Sequence, residues 1–275
     1  MPGAWTLDDI DWTRFDRRKV DPNLLRVVKA ASLVEHNGGA YTDYLCRVFK
    51  NDESFKEAAR QWGEEEIRHG QALARWAEMA DPDFSFDTAM ARFNAGFNGL
   101  PEDTDVSVRG SQASELVARC IVESGTSSYY SALADAAEEP VLKDICRRIA
   151  GDEFRHYKLF YTTLDRYVEK EDLGKLGRLR VAWNRLGETE DDELSYAYYA
   201  ANAAPDDVYA QDMHGARHLW IAYGYYKPRH VQRAASMILK AAGLSISDRL
   251  RTVIGYLGWR FMQYRRTKSG LPVSA

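Results

Sequence analysis

Two short segments carry residues whose spacing can do chemistry: Trp62-Gly63-Glu64-Glu65-Glu66-Ile67-Arg68-His69-Gly70 and Gly151-Asp152-Glu153-Phe154-Arg155-His156. Each contains Glu-x-x-His, and on a helix residues three apart share a face, so each motif aims one carboxylate and one imidazole at the same point. A lone glutamate precedes each motif at nearly the same distance. Glu35 lies 31 positions before Glu66, and Glu123 lies 30 before Glu153. With a rise of about 1.5 Å per residue, that is the length of a helix, a turn and a return to the same height on a neighbour. Glu35, Glu66, His69, Glu123, Glu153 and His156 are therefore expected to converge as the ligands of a dinuclear metal site.

The donor set narrows the metal. Hard carboxylate oxygens with two imidazoles and no thiolate suit iron, with manganese as the alternative, and argue against structural zinc or an iron–sulfur cluster. Helix position makes Glu66 and Glu153 the bridging carboxylates and Glu35 and Glu123 the outer ones, with one face left open for dioxygen. The acidic residues just before the motif glutamates, Glu65 and Asp152, are placed to accept the second ring N–H of the opposite histidine. For Glu64-Glu65 a solvated charge run is the competing reading.

The ligands need four helices to carry them. Helical periodicity dominates from Pro22 onward, strand-type alternation is scarce, and prolines and loop clusters punctuate the chain. Helices are predicted at about 22–50, 53–80, 110–137, 139–170, 191–202, 205–241 and 246–267, with a further stretch near 175–186. The first four carry the ligands, and residues 82–109 form a long crossover between two hairpins that look like a diverged repeat. One Glu from each of two helices and Glu-x-x-His from the other two is the ligand set of ferritin-like di-metal bundles. The expected fold is thus all-α: a ferritin-like four-helix bundle over 1–170 with an N-terminal arm at 1–21, and additional C-terminal helices over 171–275 packed on it.

Composition excludes other classes. The chain has 275 residues, 45% hydrophobic and 28% charged, with a formal net charge of −4, which gives a globular protein without a general nucleic-acid footprint. Cys46, Cys120 and Cys146 form no C-x-x-C pair and fit free thiols in a reducing cytosol. No signal peptide is evident, so a cytoplasmic location is expected.

Several features admit two readings. Gly38, Gly39, Gly63, Gly70 and Gly125 lie on or near the ligand face, where glycine costs roughly 1 kcal/mol against alanine. They serve either close helix approach or room for dioxygen and an organic substrate. Thr126 puts a hydroxyl near the open side, or else bonds its own backbone. His214 and His218 form an i, i+4 metal clip or a packed pair. The runs Tyr196 to Tyr199 and Tyr223 to Tyr226 line a channel or an oligomer surface, or simply pack. Tyr41, Tyr44 and Tyr130 lie within a few turns of the ligands. From Arg249 onward the chain has six basic residues and no acidic one. Residues 249–268 are a basic amphipathic helix that docks an anionic membrane or an acidic carrier protein, or one that packs with a solvated basic rim.

These residues resemble the soluble acyl-acyl-carrier-protein desaturases and their bacterial ferritin-like relatives. Trp-x-x-Glu-Glu-x-Arg-His-Gly is matched by Trp62, Glu65, Glu66, Arg68, His69 and Gly70, and Asp-Glu-x-Arg-His by Asp152, Glu153, Arg155 and His156. Glu-x-x-Thr is matched by Glu123 and Thr126, and Glu-x5-Tyr-x3-Leu by Glu35, Tyr41 and Leu45. The run His36-Asn37-Gly38-Gly39 departs from the family's usual one. The resemblance implies two iron ions that, reduced by an external electron donor protein, activate dioxygen for desaturation or oxygenation of an acyl or other hydrophobic substrate, carried on an acyl carrier protein. It also implies that Thr126 assists proton delivery, that Trp62 and Asp152 lie on the electron route, and that the protein is a homodimer. The alternatives are a ferritin-like iron-binding or ferroxidase protein without an organic substrate, and a membrane-associated scaffold with structural metals.

Overall fold

A computed structural model describes residues 5–97, 99, 104–188, 192–204 and 206–268. Residues 100–103 of the predicted crossover, residues 191 and 205 at the starts of two predicted helices, and the first four residues of the N-terminal arm lie outside the described residues. Among the described residues the chain is helical, without strands. The helices are α1 (Pro22–His36), α2 (Gly38–Val48), α3 (Glu53–Ala80), α4 (Phe86–Gly96), α5 (Gln112–Ala136), α6 (Pro140–Lys170), α7 (Lys175–Gly187), α8 (Asp192–Asn202), α9 (Gln211–Tyr225), α10 (Pro228–Ala241) and α11 (Asp248–Lys268). The all-α helical bundle read from the sequence is the fold observed.

The bundle helices begin where side chains satisfy the first free N–H groups. Asp21 accepts from Asn23 and Leu24 ahead of Pro22, Asp52 from Phe55, Ser111 from Ser114, and Glu139 from Leu142 ahead of Pro140. Glu139 does more than cap. Its carboxylate also accepts from the Trp76 indole at 2.7 Å and from the backbone of Asp16 at 3.1 Å, tying the start of α6 to α3 and to the N-terminal arm.

Contacts fix the directions. Gly70 lies against Ser32 and His36, Gly38 against Glu66, and Gly63 against Thr42, so α1 and α2 run antiparallel to α3. Ala113 meets Glu171, Thr126 meets Glu153 and Ser127 meets Ala150, so α5 runs antiparallel to α6. The four-helix frame buries two separate apolar clusters. One contains Val27, Leu33, Leu73, Trp76, Leu133, Leu142 and Ile145, the other Leu45, Phe55, Trp62, Leu116, Ile121, Phe160 and Leu164. In every bundle helix the candidate ligands occupy the stretch between the two clusters.

Three boundaries differ from the sequence expectation. The helix predicted over 22–50 breaks at Asn37, whose side chain donates to Glu193 of α8 at 3.0 Å. The crossover predicted over 82–109 contains α4, capped by Ser85 and anchored by the fully buried Phe93. The helix predicted over 205–241 is two helices, because Pro228 has no N–H to continue α9 and instead starts α10. The later helices pack on the bundle, α7 and α10 against α5 and α8 against α1, while α9 lies on α8 and α11 on α10 and α9.

His214 and His218 are a packed pair. Both are buried among Tyr198, Tyr199 and Tyr209, the backbone N–H of Ala210 donates to His214 Nδ1 at 3.1 Å, and among the described residues neither joins a group of metal-ligating side chains. Burial lowers His218 from 6.5 to about 4. A depressed imidazole stabilises the fold fully above the unfolded value, and that stability is lost as pH falls toward the folded one. In metal-loaded protein, His218→Leu is expected to lose less stability than wild type between pH 6.5 and 4. The difference, measured by urea unfolding at several pH values, is on the order of 3 kcal/mol.

Candidate metal centre

All six candidate side chains are buried and meet at the middle of the bundle. They form two groups, Glu35, Glu66, His69 and Glu153 in one and Glu66, Glu123, Glu153 and His156 in the other, with the ligand atoms of each group within 4.8 Å of one another. Glu66 and Glu153 belong to both groups. The two motif glutamates thus stand between two positions, while Glu35 with His69 and Glu123 with His156 flank them.

The imidazoles are oriented from behind. Both turn Nδ1 to the carboxylates: His69 Nδ1 lies 3.2 Å from Glu153 and 3.3 Å from Glu35, and His156 Nδ1 lies 3.1 Å from Glu66. Both turn Nε2 to the acidic residue of the opposite motif, His69 to Asp152 at 3.0 Å and His156 to Glu65 at 2.8 Å. Glu65 is therefore part of the site and not a solvated charge. Arg155 donates to both of these acids, to Glu65 at 3.0 Å and to Asp152. The arginine preceding the second motif histidine is thus the clamp that fixes the two acids holding the imidazoles.

Electrostatics explain what such a cluster needs. Burial pushes the Glu35 carboxyl up to about 8, with Glu66 adding to the effect. Burial likewise raises Glu123 and Glu153. Glu66 suffers the same burial, but the imidazoles of His156 and His69, whose Nδ1 atoms lie 3.1 and 3.6 Å away, hold it below the ordinary carboxylate range. Burial opposes the charge on Asp152 as well, and His69 and Arg155 overcome it to hold this carboxyl at about 2. Burial disfavours both imidazolium ions, yet the surrounding carboxylates raise His69 and His156 well above their usual value. Glu123 Oε2, Glu153 Oε1 and His156 Nδ1 are buried with no hydrogen-bond partner among the described residues. Buried polar atoms are normally satisfied, so these three orphans, aimed at one point, fit cations. Without cations, protons balance the charge.

Other residues close on the cluster. The Thr126 hydroxyl donates to Glu153 Oε2 at 2.5 Å while touching the Val122 and Glu123 carbonyls at 3.3 Å, so the backbone contact and the site contact coexist. The Tyr130 hydroxyl donates to Glu35 Oε1 at 2.6 Å. Tyr44 instead reaches Glu115, and Tyr41 reaches Glu193. The indole bonded to Asp152 is that of Trp5, whose Nε1 donates at 2.8 Å and whose ring stacks on His69 at 5.9 Å between centroids. Trp62 makes a different contact, edge to face with His156 at 6.4 Å. The sequence reading did not find Trp5, since it lies 147 positions from its partner with no local pattern to mark it.

Gly38, Gly39, Gly63 and Gly70 serve close helix approach. A Cβ at Gly38 would stand 2.5 Å from Glu66 Cβ, and one at Gly70 2.7 Å from the His36 backbone nitrogen. Gly125 differs, since nothing lies within 4 Å of its added carbon and the residue is exposed.

Asp152 accepts from Trp5, His69 and Arg155, and it fixes which nitrogen of His69 faces the carboxylates. Asp152→Asn is expected to weaken metal binding at the His69 group about 10- to 100-fold. Chelator-competition titration should show the His156 group less affected, with circular dichroism unchanged.

No curated protein matches the chain. Residues 41–176 match the family model for fatty acid desaturase, a segment that holds Glu66, His69, Glu123, Glu153 and His156 and begins after Glu35. With the buried carboxylate and imidazole groups, this match fits a di-iron desaturase-like family.

Proposed function

We propose that the protein is a di-iron oxidoreductase that desaturates or oxygenates an acyl or other hydrophobic chain, using dioxygen and electrons from an external donor protein. The observation that carries this reading is the pair of metal-sized groups sharing Glu66 and Glu153 inside the segment that matches fatty acid desaturases. Glu35, Glu66, His69, Glu123, Glu153 and His156 would hold the two ions. Bound iron supplies redox chemistry with dioxygen, which no protein side chain provides.

The chain's own residues do the rest. Asp152 and Glu65 keep Nδ1 of each imidazole pointed inward. Thr126 holds a proton at Oγ1 against Glu153 Oε2. Trp5 donates to Asp152, linking the His69 group through one hydrogen-bonded chain to the N-terminal arm. In this reading Trp5 with Asp152 carries electrons inward, and Trp62 packs beside His156. The apolar cluster around Trp62, Phe160, Ile121 and Leu116 excludes water from one end of the site. The acyl chain is presented on an acyl carrier protein, and the protein acts as a homodimer.

The test supplies iron-loaded protein with a reduced electron donor, dioxygen and long acyl chains, both free and carrier-linked. Mass spectrometry is expected to find products lacking two hydrogens or gaining one oxygen. No product with any acyl form, together with iron accumulating well beyond two ions per chain, would replace this reading with iron storage.

A further inference from the structure

Helix α11 is packed on one side only. Its inner side fits α9 and α10: the Trp259 indole donates to the Tyr226 carbonyl and the Gln263 amide to the Tyr223 carbonyl, each at 2.9 Å. Gly255 lets the helix touch the backbone of α10, since a Cβ there would stand 2.9 Å from the Gln232 backbone nitrogen. The outer side carries Leu250, Val253, Leu257, Phe261 and Tyr264, which follow one another at three- and four-residue steps and are 47–59% exposed. Arg249, Arg260, Arg265 and Lys268 stand on the same exposed side, and no acidic residue lies between 249 and 268.

Helix α7 repeats the pattern. Leu176 is 84% exposed and Trp183 79%, with Lys175 and Arg180 exposed beside them and no acidic residue from Lys175 to Gly187. The turn that leads from α10 into α11 lies against α7, where the Arg178 guanidinium stands beside Gly243. A tryptophan side chain left almost entirely in water is costly, and contiguous exposed apolar side chains mark an interaction surface. A rim of one charge sign selects an occupant of the opposite sign.

We infer that α7 and α11 dock the protein on an anionic lipid bilayer, with the apolar side chains at the boundary between headgroups and acyl chains and the basic residues against lipid phosphates. No described helix is long and apolar enough to cross a membrane, so the contact lies in the plane of the surface. A second copy is disfavoured as the occupant, because a two-fold axis through the stripe would set the Arg260 and Lys268 rims of both copies against each other. An acidic protein matches the charge, but the apolar stripe of a 21-residue helix runs about 30 Å and asks for an apolar continuum. The inference is independent of what the metal centre does.

Cosedimentation of the full-length, metal-loaded protein with phosphatidylcholine vesicles, alone or mixed with phosphatidylglycerol, tests it. Binding is expected only with the anionic vesicles and should weaken as salt is added. Trp183→Ser, the pair Leu257→Ser/Phe261→Ser and the pair Arg260→Glu/Lys268→Glu should each reduce binding at least about tenfold, at unchanged circular dichroism and melting temperature. Absence of vesicle binding, or binding that all three variants retain, overturns the inference. So does a wild-type dimer that Leu257→Ser/Phe261→Ser converts to monomer, which would assign the stripe to a second copy.

Discussion

Alanine at both His69 and His156 is expected to strip the protein of bound metal while leaving its helices in place. Each imidazole serves one of the two groups, so the double change removes a nitrogen donor from both. Losing a residue that merely orients a ligand costs about 10- to 100-fold in affinity, and loss of the ligand itself should exceed that at each position. Metal analysis after gel filtration should fall from about two ions per chain to background, with circular dichroism unchanged. Retention of wild-type content would remove the assignment of the centre. The same carboxyls give the binding a pH dependence of known sign. Burial raises Glu35 to about 8 and also raises Glu123 and Glu153, so entering cations must displace protons. Metal affinity should therefore rise with pH up to about 8, and calorimetry in buffers of different ionisation enthalpy should register proton release.

The second large effect concerns helix spacing. Replacing a helix-interior glycine with alanine ordinarily stabilises by roughly 1 kcal/mol. At Gly70 the sign reverses, because the added carbon would stand 2.7 Å from the His36 nitrogen and 2.8 Å from the Ser32 carbonyl oxygen. Both are backbone atoms of α1, which cannot step aside without moving Glu35. Overpacking of this kind costs about 1–3 kcal/mol and occasionally more, so Gly70→Ala should lower the melting temperature by roughly 3–8 °C. Gly125→Ala is the control, since its carbon meets nothing within 4 Å, and it should hold or raise the melting temperature. A rise for both variants would mean that α1 and α3 can separate freely at the centre.

The convergence of six side chains was legible in the sequence because helical geometry turns spacing directly into position. Glu-x-x-His fixes two donors on one face, and a separation near 30 residues returns a glutamate to the same height. The crossed pairing of His69 with Asp152 and His156 with Glu65 follows from the same register. What spacing does not encode is contact across long separations without a repeating pattern. Trp5 reaches Asp152 from an arm of short turns, and Glu193 reaches Asn37 from a helix beyond the bundle, so neither residue carries a local mark. The break at Asn37 escaped because Gly38 and Gly39 read equally as space inside a continuous helix. The start of α10 was there to be read in Lys227-Pro228, where tyrosine-rich helical sequence before it and helical sequence after it masked the proline.

The placement of four carboxylates between two apolar clusters has a consequence for how the molecule breathes. Both ends of the bundle are zipped by hydrocarbon, whereas the waist depends on ions or protons to quiet its mutual repulsion. Chelation should accordingly loosen amides near Glu35, Glu66, Glu123 and Glu153 first, with hydrogen exchange there quickening while the flanks near Leu73 and Leu116 stay protected. A vessel hinged shut at top and bottom but soft in the middle can admit its cargo without coming apart.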